Sequence, residues 1–580
     1  MKRNYIGLAN SFHDSAMAIV NDLGKVVFAE GTERYLQTKR AMNVMPDVLV
    51  RTSQLLEEHC DPDAQIVAAT TWSDDTREQL GQLLQTHATA TLKQLNPAVP
   101  PAILRSSANF EFFLACQSRA VTDAAGTLQY ELSQIRARAA TPLVKRAYEH
   151  HLAHAAAACF TSPFEDAVCA ILDGFGEGRS YAYYAYRNGK LTELESREKS
   201  SVASLGGFFS EVCDACGFGY LTGEEWKVMG LAAYGHFDPG VYSILRDMIR
   251  VNGVHLEVSA LRTWQLRQQL DAIRRKCGEP AISAANLAYA GQQVFTEVLF
   301  ELLGNLHALC PRDNLVLGGG CALNSSANGR ILESTPFKNL HVFSAPADDG
   351  NAVGAALLAY QEDHPGFAPA AAFQSPYIGS TMSVESLNNV RRFSGLPKMT
   401  ECGAQAPERA AQLLAQGRIV GWIQGRAEFG PRALGNRSIL ADPRSPQIKD
   451  TINARVKFRE EFRPFAPAIL DQFGPRYFEN YQVSPYMERT LRFRPEVLAR
   501  VPGVVHEDGT GRLQTVRKEW NEPYYRLVKR FHELTDIPLI INTSFNVMGK
   551  PIAHSVEDVL AVFFTSGLDA VFIDGLMLEK

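Results

Sequence analysis

Short apolar runs of period two, separated by polar turns, open two distant stretches of the chain. Tyr5–Asn10, Ser15–Val20 and Lys25–Glu30 read as three strands, the last pair joined by a turn at Asp22-Leu23-Gly24. Ala167–Leu172, Ser180–Tyr186 and Leu191–Glu195 repeat the pattern, with an Asn188-Gly189 hairpin signal between the last two. Two β-β-β openings predict a duplicated α/β unit with a ligand cleft between its halves. Helical periodicity follows each opening: Pro46–His59, Arg77–Leu95 and Phe110–Ala140 in the first half, Ala284–Leu309 in the second. Asn314–Gly320 is a buried strand running into glycines, and Pro346–Ala359 is an acidic turn before a small-residue helix. His364–Gln374 is rich in Pro and Ala and aperiodic, which reads as a linker. Beyond it, Pro407–Gln416 reads as a helix and Ile419–Ile423 and Pro538–Asn542 as strands.

Composition narrows the class. At 580 residues the chain exceeds one core, so two to four domains are expected. A net charge of −5 gives no general attraction to nucleic acid or to an anionic membrane. No run of about 18 apolar residues is present, so no membrane span is expected. The N-terminus begins basic and then apolar, but Asn10, His13 and Asp14 interrupt any signal-peptide core; cytoplasm is the expected location. The 10 cysteines are scattered and form no disulfide framework. Cys213 and Cys216 have C-x-x-C spacing without a second pair, and lie among Phe208, Phe209 and Val212, which favours core packing over metal or redox work.

Against that acidic balance, Gly425–Leu440 stands out. Arg426, Arg432 and Arg437 alternate with Gly425, Gly430 and Gly435, and Lys457 and Arg463 follow in a second charged run. Between Gly425 and Arg463 there are nine Lys/Arg against five Asp/Glu. Glycines admit close approach of main chain to ligand, and guanidinium forks match phosphate oxygens. The competing reading is a solvated loop paired to Glu428, Glu460 and Glu461. Arg512, Asn542 and Ser544, at expected strand ends, are polar groups that would complete one phosphate pocket.

A second constellation is metal-like. His150 and His154 are one helical turn apart on a single face, while His151 points about 100° away. With Asp173 at a strand end and Asp348 or Asp349 in an acidic turn, they make a set suited to iron(II), manganese or zinc; tight packing by the neighbouring alanines is the alternative. His13, after the first strand, is either a general base or a packed histidine. Gly318, Gly319 and Gly320 precede a helix start near Asn324, which reads as a turn exposing backbone N–H groups at a helix N-terminus or as a packing turn. Lys227 reads as a phosphate contact or the partner of a solvated Glu.

Several motifs occur in one order: FHDSA, EHHLAHAA, LDGFGE, GEEWKVMGLAAYG, GGGCALN and DDGNAVGAA, then GRAEFGPRALGNRSILADPR, VKFREEFRPFAP, DGTGRLQTV and INTSFNVMGKPI. Together they resemble the carbamoyltransferases of the nodulation-protein-U and cephalosporin-carbamoylating family, over nearly the whole chain. The resemblance implies an actin-like, threonylcarbamoyl-transfer-like domain over residues 1–363, a linker over 364–374 and an α+β YrdC-like domain over 375–580. It implies that the second domain makes carbamoyl-adenylate from ATP, with Mg2+, and carbamoyl phosphate, using Arg432, Lys457, Arg463, Arg512, Asn542 and Ser544. It further implies a divalent metal, iron(II) foremost, on His150, His154, Asp173 and Asp348, the last favoured by its Asp-x-Gly spacing to Gly350. Gly318–Gly320, Asn324 and Lys227 would carry nucleotide, and His13 would deprotonate a small-molecule hydroxyl acceptor. Trp226 departs from the small residue usual in its motif. Acceptor identity stays open, as do transfer to an amidine or guanidine nitrogen and assembly as a homodimer. Threonylcarbamoyl transfer on tRNA would need a larger basic face, and a non-catalytic ATP-binding module would leave both constellations without a purpose.

Overall fold

The computed structural model describes residues 2–76, 79–80, 101–135, 143–195, 203–219, 222–258, 260–396 and 398–580. The apolar runs of the first half become β1 (Arg3–Ala9), β2 (Ala16–Val20), β3 (Val26–Gly31), β4 (Gln65–Thr71) and β5 (Val144–Tyr148), in the order β3-β2-β1-β4-β5. The second half gives β6 (Asp166–Gly176), β7 (Arg179–Arg187) and β8 (Lys190–Leu194). A small ribbon of β9 (Arg250–Asn252) and β10 (His255–Glu257) precedes β11 (Asn314–Gly318) and β12 (Asn339–Val342). The second sheet runs β8-β7-β6-β11-β12. Each sheet is a three-strand antiparallel meander extended by two parallel strands. The duplication expected from the sequence pattern is therefore present, strand for strand.

Five helices matter to the site: α1 (His150–Phe160), α2 (Leu205–Ala215), α3 (Glu225–Ala232), α4 (Ala285–Leu309) and α5 (Asn351–Asp363). The alanines of α1 and α5 let these two helices pack closely on each other, α1 against β6 and β11 and α5 against β1, β2 and β4. The halves are joined through this pair. Gly354 of α5 sits where a Cβ would overlap the Ala153 carbonyl oxygen. Gly354→Val is expected to cost about 2 kcal/mol or more through overpacking. The check is the urea midpoint of unfolding, and an unchanged midpoint would refute the close packing.

The expected helix Arg77–Leu95 falls almost entirely outside the described residues. Phe110–Ala140 is not one helix: Pro101–Thr122 ends, Ala125 takes φ 59°, and a new helix runs Gly126–Tyr130. The Asp123-Ala-Ala-Gly126 sequence allows that reversal. Cys213 and Cys216 pack in the core beside Phe208, Phe209 and Val212, as the helical reading implied.

From His364 to Ser383 the chain forms neither helix nor strand. The rest builds one mixed sheet of β13 (Met399–Glu401), β14 (Val420–Ile423), β15 (Arg437–Ala441), β16 (Ala466–Leu470), β17 (Arg489–Arg492), β18 (Thr510–Val516), β19 (Leu539–Ser544), β20 (Ala570–Ile573) and β21 (Leu576–Glu579). Its order is β13-β21-β20-β14-β15-β19-β16-β18-β17, with only β14/β20 and β16/β18 parallel. Helices are interspersed among these mainly antiparallel strands, an α+β arrangement. The two parts meet closely: Arg34 donates to the Gly430 carbonyl at 2.6 Å, and Asn328 to the Glu488 carbonyl at 3.0 Å.

Candidate active site between the two domains

α1 begins where Glu149 caps it, its carboxylate accepting from the Leu152 N–H at 2.7 Å. That cap sets the phase of the helix, so His150 and His154 project together. Asp173 lies in β6 where pairing with β7 slips between Leu172 and Gly176, an irregularity that turns its carboxylate out of the ladder. Asp348 opens the turn before α5. His150 Nε2 is 3.2 Å from Asp173 Oδ2 and 3.7 Å from Asp348 Oδ1. His154 Nε2 is 3.2 Å from His150 Nε2 and 3.4 Å from Asp348 Oδ1. All four ligand atoms lie within 4.8 Å of one another, and all four residues are buried.

Two imidazoles and two carboxylates at that spacing suit a borderline divalent cation. Burial works against the His150 imidazolium, but Asp348 and Asp173 outweigh it and raise His150 to about 9. Burial likewise pushes Asp173 up, and the hydrogen bond from His150 with the charge of His154 holds it well below the usual carboxylate range. A divalent cation would take the place of those protons. The surroundings fix the ligands: Gly320 N–H donates to Asp173 Oδ1 at 2.9 Å, and a Cβ on Gly176 would overlap the His150 ring. The two aspartates of the acidic turn have different surroundings. Asp348 joins the cluster, whereas Asp349 accepts from Gly350 N–H at 3.0 Å. Burial and then nearby Asp14, Glu33 and Asp348 push Asp349 up to about 8.

His13 stands beside this cluster, its Nδ1 3.9 Å from Asp348 Oδ2 and 2.9 Å from Asp14 Oδ2. Arg40 holds the same Asp14 oxygen at 3.0 Å. Burial pushes the Asp14 carboxyl up, but Arg40 and then His13 hold it well below its ordinary range, so it remains an acceptor.

Most of the cation-rich end comes from the second domain. Lys457 Nζ, in a fully buried position, donates to the Ser544 carbonyl, to Asn546 Oδ1 at 2.7 Å and to the Asn546 carbonyl at 3.1 Å. The Arg432 and Arg512 guanidinium groups have no hydrogen-bond or ion-pair partner among the described residues. Burial lowers Arg432 to about 10. It lowers Arg512 well below its ordinary value, with Arg432 and Arg459 adding repulsion. Buried guanidinium groups without a carboxylate partner among the described residues suit a bound anion. Arg459, lowered to about 9 by burial and Arg463, belongs to this group; the sequence reading missed it, although the Lys457-x-Arg459 spacing was visible.

A single cavity of about 2340 Å³ reaches both ends. His13, Asp173 and Asp348 line it on one side, and Arg432, Lys457, Arg463, Arg512, Asn542 and Ser544 on the other. Several expectations need correction. Of the three arginines in Gly425–Leu440, only Arg432 lines the cavity. Arg426 donates to the carbonyls of Val27, Gly379 and Ile378, and Arg437 to those of Gln424, Asn436, Ser380 and Gly425. Main-chain oxygens use these guanidinium groups, which therefore latch the fold. Gly318 and Gly319 do not line the cavity either. Gly319 takes φ 83° and packs against β6, where a Cβ would overlap the Leu172 carbonyl, and its N–H is used by the Pro346 carbonyl at 2.8 Å. Gly320 and Asn324 do reach the wall. The Asn324 amide, however, is already paired with Gln292 at 3.1 Å both ways and caps a short helix at Ala327 N–H. Lys227 Nζ is paired with Glu224 at 2.6 Å and Glu460 at 3.0 Å.

Residues 4–357 match the family model described as carbamoyltransferase N-terminus, and residues 411–580 the model described as carbamoyltransferase C-terminus. A protein of Synechocystis sp. is 31% identical over 623 residues, covering 99% of this chain and 96% of its own. Nodulation protein NolO of Bradyrhizobium diazoefficiens is 34% identical over 442 residues, 74% of this chain and 78% of that one. Nodulation protein U of Rhizobium tropici is 31% identical over 454 residues, 75% and 76%. Component A of the (R)-2-hydroxyglutaryl-CoA dehydratase of Acidaminococcus fermentans is similar in fold only at a TM-score of 0.34 and 13% identity, over 62% of this chain and 98% of that one. That likeness carries no argument. The chain belongs to the carbamoyltransferase family and is a transferase. No described helix is long and apolar enough to cross a membrane.

Proposed function

We propose that this enzyme makes carbamoyl-adenylate from ATP and carbamoyl phosphate in the domain of residues 375–580 and transfers the carbamoyl group in the domain of residues 1–363, with 364–374 between them. The observation that carries this reading is the one cavity with a cation cluster at one end and the His13 and His–Asp cluster at the other. Carbamoyl phosphate gives up its phosphate to water as inorganic phosphate. An oxygen of the resulting carbamate attacks the α-phosphorus of Mg2+-ATP, and pyrophosphate leaves. Arg432, Lys457, Arg459, Arg463 and Arg512 neutralise the phosphates in a displacement that is mainly positioning and charge stabilisation. The adenylate then moves through the cavity. The acceptor hydroxyl loses its proton to His13, its oxygen attacks the carbamoyl carbon, and AMP departs.

His150, His154, Asp173 and Asp348 would hold a divalent metal, proposed as iron(II), which supplies Lewis-acid polarisation and charge neutralisation when bound. His150→Ala and His154→Ala are expected to lower bound metal at least about tenfold, measured by elemental analysis of the purified protein. Full metal occupancy in both variants would remove this assignment. The acceptor is proposed as a hydroxyl of a small molecule such as a sugar or natural product. Mass spectrometry of hydroxylated candidates incubated with enzyme, ATP and carbamoyl phosphate tests the whole reading. It predicts one added carbamoyl group and one pyrophosphate released per transfer. Carbamoylation without ATP consumption would overturn it.

A further inference from the structure

The cation-rich end is not made by the second domain alone. Arg463 lies with its guanidinium 3.9 Å from the centroid of the Trp226 ring, and Trp226 comes from α3 of the first domain. The next residue on that helix, Lys227, bridges Glu224 and Glu460, and Glu460 also sits 2.9 Å from Arg463 Nε. Lys39, again from the first domain, is 5.8 Å from the same indole. Arg463 is buried among cations, and burial lowers it, with Glu460 and Glu224 opposing. Its neighbours Arg459 and Lys457 are lowered by burial first, and its charge adds to the effect on each.

A guanidinium in such company needs something that attracts its face without consuming its donors. The indole does this: its π surface draws the cation and leaves the edge nitrogens available. Glu460 occupies the Nε side, and the two terminal nitrogens of Arg463 have no hydrogen-bond partner among the described residues. We propose that Trp226 is a positioning residue for Arg463, presenting its terminal nitrogens to the phosphate of carbamoyl phosphate, so that the activation station is completed by the transfer domain. This rests on the function proposed above, in that it takes carbamoyl phosphate as the ligand.

The test uses the full chain and two measurements. The first is calorimetric titration of the protein with carbamoyl phosphate, and with inorganic phosphate as a non-reactive probe. The second is initial rates of pyrophosphate release as carbamoyl phosphate and ATP are varied separately. Trp226→Ala is expected to weaken binding of both anions about tenfold and to raise the KM for carbamoyl phosphate by a similar factor, with the KM for ATP changed less than about twofold. Trp226→Phe is expected to keep most of the affinity. Trp226→Ala added to Arg463→Ala should cost nothing further, because the indole acts through that guanidinium. Unchanged anion affinity in a folded Trp226→Ala protein overturns the proposal, as do equal rises in both KM values or additive losses in the double variant. A wild-type enzyme that binds phosphate but releases no pyrophosphate would sink the proposed function. The titration would still decide the role of Trp226.

Discussion

Lys457→Met is expected to abolish ATP-dependent pyrophosphate release, by a factor of about 10³, while leaving the melting temperature within a few degrees of wild type. Lys457 is 2% exposed and has no carboxylate partner among the described residues; its ammonium is held by carbonyl and amide oxygens of Ser544 and Asn546. Burial lowers its pKa well below the usual lysine value, and Arg459, Arg463 and Lys39 add to the effect. Such a charge is costly to keep in the empty protein and gains most when a phosphate arrives. Removing one charge-stabilising donor at a reacting centre costs roughly 10²–10³ in rate, and the burial of the Lys457 ammonium puts this variant at the upper end. Methionine keeps the apolar stem, and Asn546 Oδ1 retains its bond from Ser544 Oγ at 2.8 Å, so the fold loses little. Release within tenfold of wild type would show that Lys457 serves the structure alone.

The contrast between Lys457 and Arg437 shows where sequence reading succeeds and where it stops. Both are basic residues in arginine-rich runs that contain proline, and local pattern treats them alike. Arg437 is consumed by carbonyls that include Ser380, which is remote in sequence, and Arg426 by Val27 from the other domain. No local periodicity encodes such partners. The paired openings of the two halves were legible because each strand buries its own alternating or continuous apolar face, a property of the strand itself. The His150/His154 pair was legible because helical phase alone puts both on one face. Choosing Asp348 over Asp349 rested on motif spacing, and the turn before α5 places the Asp348 carboxylate beside His150 and His154. Gly318 and Gly319 illustrate the opposite case. A strand-to-helix glycine run predicts either a ligand cradle or tight packing, and only the position of Leu172 decides for packing. Trp226 looked like a mere departure from a motif until the domain interface put Arg463 on its face.

His13→Ala is expected to separate the two half-reactions. Pyrophosphate release with ATP and carbamoyl phosphate should persist, because the cation cluster at the other end of the cavity is untouched. Carbamoyl transfer to a hydroxyl acceptor should fall by about 10²–10⁴, the usual contribution of a positioned general base. The geometry favours that role. Asp14 Oδ2, 2.9 Å from His13 Nδ1 and kept ionised by Arg40, accepts the Nδ1 proton and so leaves Nε2 as the basic nitrogen. In the proposed function His13 is thus a base with its own orienting carboxylate. Asp14→Asn is therefore expected to lower transfer by about tenfold without removing the imidazole. Its effect should largely disappear in the His13→Ala background, since the carboxylate acts through the ring. The readouts are pyrophosphate for activation and carbamoylated product for transfer, taken on the same samples. Loss of both signals together in a folded His13→Ala protein would mean that the two ends of the cavity do not divide the chemistry.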